Sequence, residues 1–263
     1  MISESIEKKE LTNPLYVFIG LFRFLAFFLV IMSFLVVHSL MAFFITNEKK
    51  RLKVYLKSIP FFAQLGLLIL NVKVSLDGTR GEVKQRLIVA NHLSYLDVLI
   101  LSAFYPSLFI TSVEIRETFL LGQLTNLAGC FFVERRKIKR TEHTKQNELN
   151  DISEKLRNGH NIFLFPEGTS SDGCQVLPFK STFFQLAVEA NIPVLPLTLS
   201  YSGAGSEAVP WYGKMTFPDH LFRLCMQKEI YAHVIRLPEV KGDDRFYLAK
   251  TTQDMIRTTY ERY

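Results

Sequence analysis

Apolar and polar positions divide the chain into an N-terminal apolar part and a longer alternating part. Residues 24–45 contain no Asp, Glu, Lys or Arg over 22 positions, enough for a helix to span a bilayer core. Residues 48–59 carry an apolar stripe at helical spacing among lysines, and 61–70 form a largely apolar run. These patterns predict membrane-anchoring helices over residues 1–70: hydrophobic, then basic and amphipathic, then apolar.

Residues 71–263 alternate short apolar runs with helical patterns, without internal repeats. This alternation predicts one α/β domain with a mixed, largely parallel sheet flanked by helices. The predicted strands cover 72–77, 86–90, 107–112, 129–134, 161–165, 194–201, about 213–217 and 229–235. The predicted helices cover 95–104, 115–127, about 137–157, 181–190 and the segment from 243 onward.

The apolar stretch 24–45 is longer than the core of a signal peptide and lacks a clear small-residue cleavage site, which predicts a retained anchor. Five basic residues follow between positions 49 and 57, so the positive-inside rule predicts that the remainder of the chain lies on the cytoplasmic side. The run 61–70 is short for a membrane span. It either dips into one leaflet or packs on the domain as a core helix.

Composition and charge limit the kinds of molecule that the protein is expected to bind. The net charge of +6 and the pI of about 9.1 suit anionic lipid surfaces and polyanionic substrates. No nucleic-acid-binding fingerprint occurs, so a nucleic-acid partner is not expected. The three cysteines are scattered without a C-x-x-C pair, which predicts a reducing compartment and neither a disulfide framework nor a zinc site.

The segment 91–97, Asn-His-Leu-Ser-Tyr-Leu-Asp, directly follows the buried strand 86–90. A histidine at a strand end can face an active-site crevice, and Asp97 lies in the first turn of the next helix. There the carboxylate can accept the Nδ1 proton of His92 and leave Nε2 as a general base. Alternatively, Ser94 and Asp97 form a capping box and His92 is a polar loop residue.

Two further positions carry candidate chemistry. Glu167 and Gly168 occupy a turn after strand 161–165, where glycine lets the backbone approach a ligand closely. Such a turn alone is usually structural. Arg135 opens the basic run 135–140, where its guanidinium can clamp a phosphate, or the run simply begins a solvated helix.

Four segments together resemble the glycerolipid acyltransferase family. They are N-H-x(4)-D at 91–97, G-x-x-F-V-x-R at 129–135, F-P-E-G-T at 165–169 and an apolar block with a central proline at 192–197. They stand in the family's order and roughly its spacing, and they cover about residues 85–200.

The resemblance implies a membrane-bound O-acyltransferase, with His92 and Asp97 as the catalytic pair. It further implies an acceptor site, containing Asn91, Arg135, Glu167, Gly168, Thr169 and Lys180. The expected reaction moves a fatty acyl group from acyl-CoA or acyl carrier protein to a lysolipid, foremost 1-acylglycerol-3-phosphate to give phosphatidic acid. Neither metal nor other cofactor is expected.

The chain departs from the family at Ser170, where many phosphatidate-forming members carry arginine. Either Lys180 supplies the missing cation, or the acceptor has another head group, as in a lyso-ornithine lipid. Two other classes of function stay open. One is a lipid hydrolase, which would release free fatty acid without an acceptor, and the other is a non-catalytic membrane scaffold. A scaffold has no chemical need for His92, Asp97, Arg135 and Glu167 together.

Overall fold

The structure is a computed structural model that describes residues 14–78, 83–117, 121–127, 129–133 and 142–262. Arg135 lies outside these residues, as do the end of the predicted strand 129–134 and the start of the predicted helix 137–157.

The helices and strands alternate along the chain, as predicted for an α/β domain, with the exceptions described below. The helices are α1 (Pro14–Phe44), α2 (Glu48–Ile69), α3 (Tyr95–Phe104), α4 (Val113–Arg116), α5 (Leu121–Leu127), α6 (Glu142–Arg157), α7 (Gln185–Ala190), α8 (Phe217–Met226) and α9 (Arg245–Tyr260). The strands are β1 (Val72–Asp77), β2 (Leu87–Ala90), β3 (Leu108–Ser112), β4 (Phe131–Val133), β5 (Ile162–Leu164), β6 (Val194–Ser202) and β7 (Ile230–Arg236). Single 3₁₀ turns cover Ser181–Phe184 and Ser206–Ala208.

The strands form one sheet in the order β1-β7-β6-β2-β5-β3-β4. Within it, β6, β2, β5, β3 and β4 run parallel, while β7 is antiparallel to β6 and parallel to β1. The predicted α/β class with a mixed, largely parallel sheet is therefore confirmed. Every residue of β2 and β5 is buried, because helices cover both faces and leave no polar side to these strands.

Helices α1 and α2 pack together on one face of the sheet. Gly66 of α2 makes this approach possible, because a Cβ atom there would lie 3.1 Å from Phe27 of α1 and 3.2 Å from Leu99 of α3. At the other end of α1, a Cβ on Gly20 would lie 2.6 Å from the Cγ of Met226 in α8. Because glycine has no side chain, these two positions let both helices pack closely against neighbouring elements.

The opposite side of α1 is apolar and exposed. Phe18, Phe22 and Leu29 are 69%, 68% and 64% exposed. By length and composition, α1 and α2 each suffice to cross a membrane. One face of α1 therefore contacts protein, while the other presents a continuous apolar surface that indicates membrane association.

The N-terminal helices differ from the predicted segments in two ways. Helix α1 (Pro14–Phe44) extends beyond the apolar stretch 24–45 at its start and contains Arg23, whose guanidinium donates to the carbonyls of Cys225 and Gln227 at 3.3 and 2.6 Å. Helix α2 runs continuously through Pro60, where two segments were predicted. Proline removes one backbone hydrogen bond, and packing of the buried residues on both sides of Pro60 holds the helix together.

Two other predicted elements were wrong. The helix predicted over 115–127 is observed as α4, which ends at Arg116, and α5, which begins at Leu121; a Cβ on Gly122 would lie 2.0 Å from the carbonyl oxygen of Arg116, so the two helices approach closely there. The strand predicted near 213–217 is instead the approach to α8. Thr216 caps this helix by accepting from the amide of Asp219, and a proline lies in its first turn.

Candidate active site

The carboxyl edge of the parallel strands brings the two central motifs together. Strands β2 and β5 are parallel neighbours, with Val89 opposite Leu164, so the residues that follow them leave the sheet at the same edge. The amide of Ser171 donates to the carbonyl of His92 at 3.0 Å and joins the two loops. Segments 91–97 and 165–171 therefore form one site.

His92 and Asp97 are in direct contact. Nδ1 of His92 lies 2.8 Å from Oδ2 of Asp97, and the side chains are 18% and 0% exposed. The same Oδ2 accepts from the amides of Leu93 and Ser94 at 2.6 and 2.8 Å. Ser94 is the N-cap of α3 and completes the capping box. The capping box and the His92–Asp97 contact, which the sequence offered as alternatives, therefore occur together. The Asp97 carboxylate both caps α3 and binds the imidazole.

This contact defines the tautomer of His92. An ionised carboxylate only accepts hydrogen bonds, so Nδ1 carries the proton and Nε2 carries the lone pair. Nε2 has no hydrogen-bond partner in the described part of the chain. A partly exposed imidazole with a free Nε2 is the arrangement that a general base requires.

Phe165 fixes the plane of the imidazole. Its ring lies parallel to that of His92, with centroids 3.8 Å apart and an angle of 14° between planes. The motif F-P-E-G-T points to this residue in the sequence, but its side chain was not assigned a role. Stacking on one face and the carboxylate at one edge leave the ring little freedom to turn.

Tyr201 completes the surroundings of Asp97. Its hydroxyl donates to Oδ1 at 2.5 Å, so the carboxylate receives four hydrogen bonds in all. Burial and the neighbouring Asp97 raise the pKa of Tyr201 well above its usual value, so the phenol stays protonated and donating. Sequence reasoning missed this residue because it lies 104 positions from Asp97, in an apolar strand.

Glu167 faces the same loop from the turn after β5. Its Oε1 accepts from the amide of His92 at 3.0 Å, whereas Oε2 is buried and has no hydrogen-bond partner among the described residues. Burial raises the pKa of Glu167 to about 8, and Asp97 adds to the rise, against the opposing amides of His92 and Leu177. Glu167 therefore exchanges a proton within the working pH range of most enzymes.

Gly168 and Lys180 lie against each other. Gly168 has φ +77°, and a Cβ there would lie 2.5 Å from Nζ of Lys180. The amide of Lys180 donates to the carbonyl of Pro166 at 2.9 Å and holds the two segments together. Glycine therefore suits this backbone conformation, and it leaves room for the ammonium group of Lys180.

Asn91 is buried and bonded to the neighbouring strand. Its Nδ2 donates to the carbonyl of Leu199 and its Oδ1 accepts from the amide of Leu199, both at 2.8 Å. The side chain is 2% exposed, so it joins the end of β2 to β6 from within the protein. Asn91 therefore supports the site from within the protein, and its contact with an acceptor stays a prediction.

The turn that follows Gly168 connects to a second loop. Thr169 is exposed, and its hydroxyl donates to the carbonyl of Ser170 at 3.3 Å. The Ser170 hydroxyl donates to the carbonyl of Trp211, whose amide donates to Leu93 at 2.8 Å. The Trp211 ring packs edge-on against Tyr95. Ser170 therefore anchors the 210–212 loop beside the site.

The predicted residues His92, Asp97, Glu167, Gly168, Thr169 and Lys180 are thus gathered at one edge of the sheet, whereas Arg135 is not described. The described residues contain no group of three or more His, Cys, Asp or Glu side chains arranged to hold a metal ion.

Comparisons with known proteins agree with this geometry. Residues 72–200 match the family model described as Acyltransferase. The chain is 32% identical over 176 residues to the 1-acyl-sn-glycerol-3-phosphate acyltransferase of Neisseria meningitidis, covering 65% of this chain and 68% of that protein. It is 31% identical over 195 residues to the lyso-ornithine lipid O-acyltransferase of Rhodobacter capsulatus, covering 70% and 68%.

The crystal structure of the 1-acyl-sn-glycerophosphate acyltransferase PlsC from Thermotoga maritima has a similar fold. The TM-score is 0.66 at 21% identity, over 92% of this chain and 95% of that one.

We predict that Asn91→Ala destabilises the protein. The buried amide and carbonyl of Leu199 lose their partners, at about 1–3 kcal/mol for each group. Chemical unfolding in detergent measures this loss, with Asn126→Ala, an exposed asparagine, as the control. Unchanged stability together with a raised KM for the acceptor would instead favour a direct role in binding.

We predict that Glu167 makes stability depend on pH. Its pKa is raised from 4.5 to about 8, so the folded state binds the proton more tightly than the unfolded state. This contribution is fully present below about pH 4.5 and is lost as the pH rises toward 8, with a slope of at most about 1.4 kcal/mol per unit.

Glu167→Gln removes this slope, so the stability of the wild type relative to the variant falls between about pH 5 and pH 8. Unfolding curves across this range measure the difference, and Glu207→Gln, at an exposed position, serves as the control. Parallel pH dependences for wild type and Glu167→Gln would disprove the assignment.

Proposed function

Since the chain belongs to the acyltransferase family, we propose that it transfers a fatty acyl group from a thioester to the free hydroxyl of 1-acylglycerol-3-phosphate, forming phosphatidic acid. The observation that carries the proposal is the free Nε2 of His92, held by Asp97 beside the Glu167–Gly168 turn. The similarity to the Neisseria acyltransferase supports the acceptor.

In the proposed reaction, His92 acts as the general base. Nε2 takes the proton of the acceptor hydroxyl while its oxygen bonds to the thioester carbonyl carbon. Asp97 stabilises the imidazolium that forms. The tetrahedral intermediate then breaks its C–S bond, and the leaving thiolate receives the proton from His92. The products are an ester and a free thiol, and the step uses no metal or other cofactor.

The acceptor phosphate is proposed to lie near Lys180. Its ammonium group sits over the backbone of Gly168, next to the loop that carries His92. An ammonium is a strong point charge for a phosphate. By its family position, Arg135 is proposed as the second cation. Thr169, exposed at the same turn, is proposed to contact the glycerol part.

The donor is proposed to be acyl-CoA or acyl carrier protein. CoA is polyanionic and carrier proteins are acidic, so the net charge of +6 favours both.

A lyso-ornithine lipid is the second candidate acceptor. Serine at position 170 supplies no cation to a head group, and its hydroxyl donates to the carbonyl of Trp211. The similarity to the Rhodobacter O-acyltransferase supports this candidate. Binding of 1-acylglycerol-3-phosphate would use a second positive charge at the 165–171 turn, whereas binding of a lyso-ornithine lipid would not.

We further propose that the exposed side of α1 contacts the lipid bilayer and that the catalytic domain lies on the cytoplasmic side. The apolar surface of α1 and the basic residues at 49–57 support this arrangement.

We predict that His92→Ala reduces acyl transfer by about 10²–10⁴-fold at unchanged protein level, because the general base is lost. The assay offers labelled acyl-CoA and acyl carrier protein against lysophosphatidic acid and lyso-ornithine lipid, with purified protein in liposomes. The control is His160→Ala, between α6 and β5, at the opposite end of β5 from the Glu167–Gly168 turn.

His92-dependent labelling of lysophosphatidic acid supports the first candidate, and labelling of lyso-ornithine lipid alone supports the second. Free fatty acid released without an acceptor would identify a hydrolase. Equal transfer by wild type and His92→Ala would overturn the proposal.

We predict that the triple variant Phe18→Ser, Phe22→Ser, Leu29→Ser dissociates from liposomes. Each side chain contributes about 1.5–3 kcal/mol when it leaves water, so three losses shift the partition by several orders of magnitude. Vesicle flotation measures the bound fraction. The matched control is Tyr212→Ser, Phe246→Ser, Tyr247→Ser, at exposed aromatic positions of the domain. Equal release of both variants would contradict the proposed membrane face.

A further inference from the structure

Strand β6 extends beyond its parallel neighbour at the carboxyl edge of the sheet. Its pairing with β2 ends at Ala90 opposite Leu197. It continues to Ser202 because the antiparallel β7 pairs with it, with Tyr201 opposite Ala232. This extension carries Tyr201 past the end of β2, to the level where α3 begins.

The Tyr201 hydroxyl is the donor that serves Oδ1 of Asp97, at 2.5 Å. The other three donors, two amides and the imidazole, all approach Oδ2. Asp97 is fully buried, so water does not replace a lost donor readily. Tyr201 therefore supplies the hydrogen bond to Oδ1 of Asp97, while the other three donors bind Oδ2.

We propose that Tyr201 is a positioning residue that sets the basicity of His92 through Asp97. This inference rests on the proposed function, in which Nε2 of His92 is the base. Tyr201 acts on the carboxylate alone and makes no contact with the reacting atoms.

The direction of the effect follows from charge. The pair of neutral imidazole and carboxylate has a net charge of −1, whereas the pair of imidazolium and carboxylate is neutral. A donor on Oδ1 stabilises the negative pair more than the neutral one. Without that donor, the imidazolium form persists to higher pH, and His92 is less available as a base.

The other ionisable groups near the pair come from three further segments. Glu167 lies on the turn after β5, Lys180 lies over Gly168, and Tyr260 of α9 has its pKa raised to about 12 by burial and by Asp97 and Glu167. All three stay in place when Tyr201 becomes phenylalanine, so a change in the pH profile reports the lost hydroxyl.

The test is the pH–rate profile of Tyr201→Phe, which keeps the ring and its packing. We expect kcat on the acid limb to fall by up to about 10-fold, with little change in KM and little change in the plateau at higher pH. We also expect the acid limb of the profile to move to higher pH by about one unit. Tyr231→Phe, on β7 with its hydroxyl near Lys73, is the matched control and leaves both quantities unchanged.

A second variant reverses the direction. Incorporation of 3,5-difluorotyrosine in place of Tyr201 makes the phenol a stronger donor, which moves the acid limb to lower pH than in the wild type. This result also excludes a loss of folding as the cause, because the variant keeps the hydroxyl. Profiles that coincide for wild type, Tyr201→Phe and the fluorinated protein would overturn the inference.

A readout independent of acyl transfer separates this inference from the proposed function. Diethyl pyrocarbonate modifies unprotonated imidazole, and peptide mass spectrometry identifies modified His92. The pH dependence of this modification moves upward in Tyr201→Phe if the inference holds, even if no acceptor is acylated. Identical pH dependence in both proteins would refute the inference while leaving the proposed function intact.

Discussion

The hydrogen bond between Nδ1 of His92 and Oδ2 of Asp97 is the contact on which the rest of the site depends. It sets the tautomer, leaves Nε2 free and brings the loop back toward the start of α3. The same carboxylate caps that helix through the amides of Leu93 and Ser94. A buried charge needs several donors, and here they come from the elements that must be held together for catalysis.

Much of this arrangement was predictable from sequence. A histidine directly after an apolar run, with an aspartate in the first turn of the next helix, allows this contact by local geometry, although the same pattern also allows a capping box with His92 as a loop residue. Glu167 and Gly168 follow a neighbouring apolar run, and parallel strands deliver their following turns to one edge. The seven strands were predictable along the chain because fully buried parallel strands appear as short apolar runs, whereas α8 was not predicted and a strand was expected near 213–217.

The contacts that were not predictable join residues far apart in the chain. Tyr201 reaches Asp97 only because β7 extends β6 past the other strands, a consequence of sheet order that no local pattern shows. Asn91 resembles a ligand-binding residue until its pairing with Leu199 is seen. Helix α2 continues through Pro60 because tertiary packing outweighs the local preference of proline.

The central claim is that Asp97 holds His92 in the tautomer with a free Nε2. The most direct measurement is nitrogen NMR of the histidine rings at neutral pH, with the His92 signals assigned by their loss in His92→Gln. The account predicts a protonated Nδ1 and an unprotonated Nε2, and loss of this preference in Asp97→Asn. A proton on Nε2 with a bare Nδ1 in the wild type would contradict it.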